Sequence, residues 1–419
     1  MKQNRTSIVL AGAAPDTGNH GVTALAQSLI LGLAERGVDH VTVFDHGHDI
    51  NPVAGDTTST TLNTLAFKAG KRVYQGANMH QARLKQLMGL SSPALRAMMA
   101  ADAVVDVSGG DSFTDLYGPA RFDQITLPKL MALDAGVPLI LLPQTFGPFQ
   151  FKRSRRIARH ILTGCKLAFA RDMASLEYLR ELLGPDFDEN RHRLGVDLAF
   201  GLPSKEPTSR IEQGTVGINV SGLLWNRSSE ARSQFVLACD YKSVLHQLAT
   251  TILQDQSAKI HLVPHVTPSG GSESDLCACR AFKDQLPTEF QQRVSIEEIA
   301  NTPSKLKGVI EQTAWFTGAR MHATIAALST ATPVSNMAYS RKAAGVFDCC
   351  GVGAQVHDMR HFTTEQMAER LLADYDYRHQ QGALLRSQLP FVKRRWAYQM
   401  DAIASAVIMN SQSAETAYA

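Results

Sequence analysis

Ala103-Val104-Val105-Asp106-Val107-Ser108-Gly109-Gly110-Asp111 reads as a strand buried on both faces that runs into a paired-glycine turn carrying a carboxylate. A continuous β-branched run without polar alternation is the mark of a strand inside a parallel sheet. Working outward, the same pattern recurs. Upstream, Ser7 to Leu10 predicts a strand, Pro15 to Gly21 a polar loop, Val22 to Arg36 a helix closed by Gly37, and Val41 to Phe44 a second strand. The stretch from about Thr57 to Ala100 reads as helix-rich with little strand character. Downstream, strands are predicted at Pro138 to Leu142 and Leu167 to Phe169, with helices near Pro128 to Asp134, Arg153 to Leu162 and Ser175 to Leu183. Strands alternating with helices place the chain in the α/β class, as a doubly wound parallel sheet.

A chain of 419 residues exceeds the size at which one core keeps growing, so two domains are expected. The polar, proline-flanked run Pro203-Ser204-Lys205-Glu206-Pro207-Thr208-Ser209 has no hydrophobic period and reads as the linker. After it the alternation restarts, with strands at Val216 to Val220, Lys259 to Pro264, Val294 to Ile296, Trp315 to Thr317 and Val334 to Met337. The expected division is an N-terminal Rossmann-like domain over 1–202, a linker over 203–210, a second Rossmann-like domain over 211–390 and a C-terminal helix over 391–419.

Composition narrows the function. An apolar fraction of 44% and a charged fraction of 19% are those of a globular protein, and a net charge of +3 gives no reason to expect a nucleic-acid partner. The six cysteines form no CxxC pair and no zinc-spaced set, so no metal site is expected and free thiols in a reducing cytoplasm are. The apolar run Ile8-Val9-Leu10 is too short for a signal or a membrane span. A cytoplasmic protein is the expectation.

Five post-strand loops carry the chemistry-bearing residues. Asn19-His20-Gly21 opens the first helix, where glycine permits close backbone approach and the helix N-terminus favours an anion; a plain turn explains it equally well. Ser108-Gly109-Gly110-Asp111 suggests a backbone-lined pocket with one carboxylate, although Asp111 also suits a helix cap. Gln144 lies in a rigid wall, Pro143 to Phe149. Arg171 ends an apolar strand in an Arg-Asp pair, suited either to clamping a carboxylate or phosphate or to a surface ion pair of little value. In Gly318-Ala319-Arg320-Met321-His322-Ala323, His322 begins an apolar helix, and imidazole exchanges protons near neutrality.

Gly109-Gly110-Asp111, Gln144 to Phe149, Ala170-Arg171-Asp172, Gly318 to Ala323 and Tyr339-Ser340-Arg341-Lys342 occur in an order that resembles the polysaccharide pyruvyl transferase family. The resemblance covers roughly Gly18 to Gly353 and implies a GT-B-like fold, two Rossmann-like domains facing a central cleft with a terminal helix crossing back. It implies transfer of pyruvate from phosphoenolpyruvate, as co-substrate and without a cofactor, onto a sugar of a surface polysaccharide or its lipid-linked precursor. A ketal forms and phosphate leaves. By the same resemblance His322 and Arg171 take catalytic positions, with Asp111 beside them. Asn19, His20, Gly109, Gly110, Gln144, Arg320 and Lys342 fall on substrate-binding positions. Many members carry a carboxylate where this chain has Val22. A GT-B glycosyltransferase using a nucleotide-sugar, and a non-catalytic glycan-binding member, remain the alternatives. Lys68, Lys71, Arg72, Arg83, Lys85 and Arg96, interleaved with Leu84, Leu87, Met88, Leu95 and Met98, together with Lys152, Arg153, Arg155, Arg156 and Arg159, read first as solvated helix faces. Given a lipid-linked acceptor, they also suggest a weak peripheral contact with the inner face of the membrane.

Overall fold

The computed structural model describes residues 6–47, 60–69, 76–206, 210–226, 235–267, 273–300, 302–340 and 342–418, with side chains to 409. Lys71, Arg72, Arg341 and the linker residues Pro207 to Ser209 lie outside the described residues. The chain divides into two compact units, one of Met1–Thr17, Leu25–Gly201 and Arg394–Ala419, the other of Gly18–Ala24 and Leu202–Lys393.

The first unit holds a seven-stranded sheet in the order β3-β2-β1-β4-β5-β6-β7. Its strands are β1 (Ser7–Ala11), β2 (His40–Asp45), β3 (Thr61–Ala66), β4 (Ala103–Asp106), β5 (Leu139–Gln144), β6 (Leu167–Ala170) and β7 (His192–Leu194). Every pairing is parallel. Its helices include α1 (His20–Ala34), α2 (Met79–Leu87), α3 (Pro93–Ala100), α4 (Pro119–Asp134), α5 (Lys152–Gly164) and α6 (Met173–Leu183); the first residues of α1 group with the second unit. Strand β3 corrects the helix-rich reading of that region. Its sequence Thr-Leu-Asn-Thr-Leu-Ala lies at the sheet edge, half-buried to exposed, so no apolar run betrays it. Central β4 is buried throughout.

The second unit holds six parallel strands in the order β10-β9-β8-β11-β12-β13. They are β8 (Val216–Asn219), β9 (Ile260–Leu262), β10 (Val294–Ile296), β11 (Trp315–Gly318), β12 (Val334–Ala338) and β13 (Val356–Asp358). A short helix, Lys342–Asp348, which the sequence pattern did not reveal, follows β12. The C-terminal helix starts earlier than the expected residue 391, running from Arg378 to Tyr418.

Each sheet reverses strand order once, and ligands of such sheets bind at the C-terminal ends of the strands flanking that reversal. In the first unit those strands are β1 and β4, with Ala11 opposite Asp106. In the second they are β8 and β11, with Asn219 opposite Gly318. Asn19 and His20 follow β1, Gly109 to Asp111 follow β4, and Arg320 and His322 follow β11, whereas Gln144 ends β5, Arg171 follows β6 and Lys342 follows β12.

Candidate active site

At the first reversal three consecutive residues after β4 take positive φ, Ser108 (49°), Gly109 (63°) and Gly110 (87°). A non-glycine residue there needs support. Asp106 provides it: its Oδ1 accepts hydrogen bonds from the Ser108 amide at 2.9 Å and hydroxyl at 2.8 Å. The same oxygen meets Lys129 Nζ at 2.7 Å. Lys129 is fully buried in α4 and also donates to the Ile125 carbonyl at 2.7 Å. Burial pushes its pKa down, against the pull of Asp106. The turn also packs against Gly12, whose added Cβ would lie 2.5 Å from the Ser108 nitrogen. Gly109 donates to the Gly12 carbonyl.

Asp111 is half-buried at the end of this turn and accepts from Ser112 Oγ at 3.4 Å. Gln144 is wholly buried, with Nε2 donating to the Asp106 and Leu142 carbonyls. Its amide nitrogen thus ties β5 to β4. Arg171 is not the surface ion pair that one reading allowed. Its side chain is fully buried, with Nη1 3.3 Å from Asp197 Oδ2 and Nε 3.8 Å from Asp172 Oδ2. Asp172 in turn caps α6, accepting from the Ser175 amide at 2.7 Å.

At the second reversal β11 delivers Arg320 to the N-cap of the helix Met321–Ser329, and His322 lies in its first turn. The hub here is Asp275, fully buried, which stands at the start of the helix Asp275–Gln285. Its Oδ1 accepts Arg320 Nη2 at 2.9 Å, Arg320 Nε at 3.2 Å and the Gly222 amide at 2.8 Å. Its Oδ2 accepts Asn219 Nδ2 and the His265 and Val266 amides at 3.0–3.2 Å. Asn219 Oδ1 takes the Arg320 amide. One carboxylate therefore fixes a guanidinium, a strand end and the loop after β9.

That loop receives the segment before α1. Asn19 bridges Val266 in antiparallel fashion, the Thr267 amide donates to the Gly18 carbonyl at 2.8 Å, and the His20 amide donates to the His265 carbonyl at 3.2 Å. His20 Nε2 lies 3.2 Å from Thr267 Oγ1, and its ring meets His265 edge-on with centroids 6.1 Å apart. Burial holds the His20 pKa down at about 4, opposed by Asp275. His265 is buried and its pKa lies well below the ordinary value, through burial first and then through His20, His322 and Arg320. Asn19, His20, Arg320 and His322 thus share one neighbourhood. Lys342 lies apart in sequence, half-buried at the start of the helix after β12.

A histidine that can carry a proton, an arginine locked at a helix N-cap and a wall of uncharged imidazoles suit an anionic substrate that must be protonated. The sequence profile of polysaccharide pyruvyl transferases matches residues 19–341. The chain belongs to the polysaccharide pyruvyl transferase family. The amylovoran biosynthesis protein AmsJ of Erwinia amylovora is 20% identical over 273 residues, 62% of this chain and 62% of AmsJ. That match leaves more than a third of the length of AmsJ uncovered. Among solved structures, a UDP-GlcNAc 2-epimerase from Neisseria meningitidis is similar at a TM-score of 0.56 and 8% identity, over 96% of this chain and 99% of that one. The glycosyltransferase SnogD from Streptomyces nogalater gives 0.52 at 14%, over 98% and 100%. At such identities the likeness establishes the fold alone, and it is the GT-B-like architecture that the family resemblance implied.

Asp275, His265, Lys129 and Asp197 escaped the sequence reading. Asp275 looks like an ordinary acid in a helix's first turn, and Pro264-His265 like the end of a strand. Only the proline beside a histidine in a post-strand loop could have drawn notice.

Proposed function

We propose that this family member transfers pyruvate from phosphoenolpyruvate onto a sugar of a surface polysaccharide or of its lipid-linked precursor. The observation that carries the reading is Arg320 locked onto buried Asp275 directly before His322, at the strand-order reversal of the second sheet. In the proposed reaction His322 delivers a proton to C3 of the donor, making it a methyl group, while a sugar hydroxyl bonds to C2. The C2–O bond to phosphate then breaks, and a second hydroxyl closes the ketal. Of the two hydroxyl protons, one replaces that given by His322 and the other leaves on hydrogen phosphate. Within the second unit Arg320 is the proposed holder of donor oxygens, with Asn19, His20 and Lys342 as proposed substrate-binding residues. In the first unit Arg171, Asp111, Gly109, Gly110 and Gln144 keep, as proposals, the roles that the family resemblance implies.

The test is phosphate release from phosphoenolpyruvate across a panel of acceptor glycans, with the product examined for a ketal. Release that depends on acceptor and matches ketal formation one to one is expected. Consumption of a nucleotide-sugar instead would make the protein a glycosyltransferase, and glycan binding without turnover a non-catalytic member.

A lipid-linked acceptor would draw the protein to a membrane surface. Among the described residues no helix is long and apolar enough to cross one. Residues 57–101, however, contain six cations and no Asp or Glu. Leu84, Leu87, Met88, Leu90 and Met99 are exposed around α2 and α3, beside Lys85 and Arg96, whereas Leu95 and Met98 belong to the core. Each cation near an anionic bilayer contributes about 1 kcal/mol. Cosedimentation with phosphatidylglycerol vesicles should succeed at low salt, weaken at high salt, and fail for Leu87→Ser/Met88→Ser. Absence of binding at low salt would point to a freely soluble acceptor.

A further inference from the structure

The turn that opens α1 has a relation to His322 that its sequence does not suggest. Gly21 is buried, and a Cβ built on it would stand 2.6 Å from Nδ1 of His322 and 2.8 Å from both its Cβ and Cγ. Non-bonded carbon atoms settle near 3.5–4.0 Å. The conflict includes the His322 Cβ, which no side-chain rotation displaces, so turning the imidazole cannot relieve it. One backbone must give way.

Neither is free to do so. Asn19 Oδ1 accepts the Gly21 amide at 3.0 Å, the Thr23 amide donates to the Asn19 carbonyl, and the Gly18–His20 segment is bonded to the loop after β9 at His265 and Thr267. That loop hangs on Asp275 through the His265 and Val266 amides. The helix bearing His322 is anchored to the same hub by Arg320, whose amide is also held by Asn219. Turn and helix are thus two ends of one hydrogen-bonded frame, with the imidazole seated where a side chain is missing.

We infer that Gly21 is a positioning residue for His322: the absence of a Cβ there sets where the imidazole lies. The inference rests on the reading of His322 as the proton donor only for its effect on rate. The displacement of the ring is independent of that reading.

Gly21→Ala separates the two. Gly76→Ala is the control, since that glycine lies outside the site and a Cβ on it meets nothing within 4 Å. Carbethoxylation of His322, followed by peptide mass analysis, should change rate in Gly21→Ala and not in Gly76→Ala. Turnover should fall about 10²-fold, the usual consequence of a small misplacement of a reacting group, with the KM for phosphoenolpyruvate changed far less. A changed modification rate with normal turnover would keep Gly21 as the seat and remove His322 from the chemistry. An unchanged modification rate would overturn the inference. Should Gly21→Ala fold poorly, the His322→Gly background decides. There the added methyl has neither ring nor Cβ to meet, so Gly21→Ala should cost little Tm, and a cost equal to that in the wild type would likewise overturn the inference.

Discussion

The two units treat buried charge in opposite ways. In the first, buried cations meet buried carboxylates, Lys129 against Asp106 and Arg171 against Asp197 and Asp172. After β8 and β11 a single carboxylate, Asp275, takes Arg320 and four other donors, while His20 and His265 stand beside it as uncharged imidazoles. Neither ring nitrogen of His265 has a hydrogen-bond partner among the described residues. Matched pairs hold a strained turn in shape; under-matched imidazoles leave donors and acceptors for something that arrives. The first arrangement favours rigidity, and the second keeps capacity for proton transfer at some cost in stability.

Four perturbations probe that contrast. The largest effect on activity is expected from His322→Ala, a loss of about 10²–10⁴-fold in turnover with donor binding and Tm nearly intact; collapse of Tm would move His322 to the structural side. The largest effect on stability is expected from Lys129→Met, which leaves Asp106 buried without its cation. Breaking such a pair costs about 3–5 kcal/mol, measurable by urea unfolding, and Lys129→Met/Asp106→Asn should recover part of it. His265→Phe keeps the ring's shape and removes two buried nitrogens, so Tm should stay level or rise while turnover falls. A fall in Tm would show those nitrogens to be stabilising.

The smallest effect concerns acid. His20, with its folded pKa held near 4 by burial, binds a proton more weakly in the folded chain than in the unfolded one. Its contribution is complete above about pH 6.5 and is lost as pH falls from there towards about 4. His20→Gln should flatten the decline of Tm with acid across that window by up to one proton's worth. An unaltered slope would show that His20 does not couple to folding.

Strands buried on both faces were legible because a continuous apolar run has few other readings, as at Ala103 to Val105. The motif from Gly318 to Ala323 was legible because its cations follow such a strand. Strand β3 was not, since an edge strand half in water carries no apolar period. The grouping of Gly18–Ala24 with the second unit rests on a bridge between Asn19 and Val266, 247 residues apart, and such pairing leaves no trace in local pattern. The same holds for the hub at Asp275, whose six hydrogen bonds come from segments scattered over a hundred residues. Gln144 was legible as part of a rigid wall after a strand, and its amide nitrogen donates to carbonyls of β4 and β5.

The segment from Val196 to Gly201 is bonded in part to residues far along the chain. Gln399 takes the Val196 amide and returns a bond to its carbonyl, Trp396 Nε1 donates to the Leu198 carbonyl, and the Trp396 ring lies where a Cβ on Gly201 would be. Trp396 is made 195 residues after Gly201. At about 5–20 residues per second on the ribosome, that delay is roughly 10–40 s. Throughout it the Val196 and Leu198 backbone groups lack these partners, so this edge of the nascent first unit acquires the bonds only once Gln399 has been made.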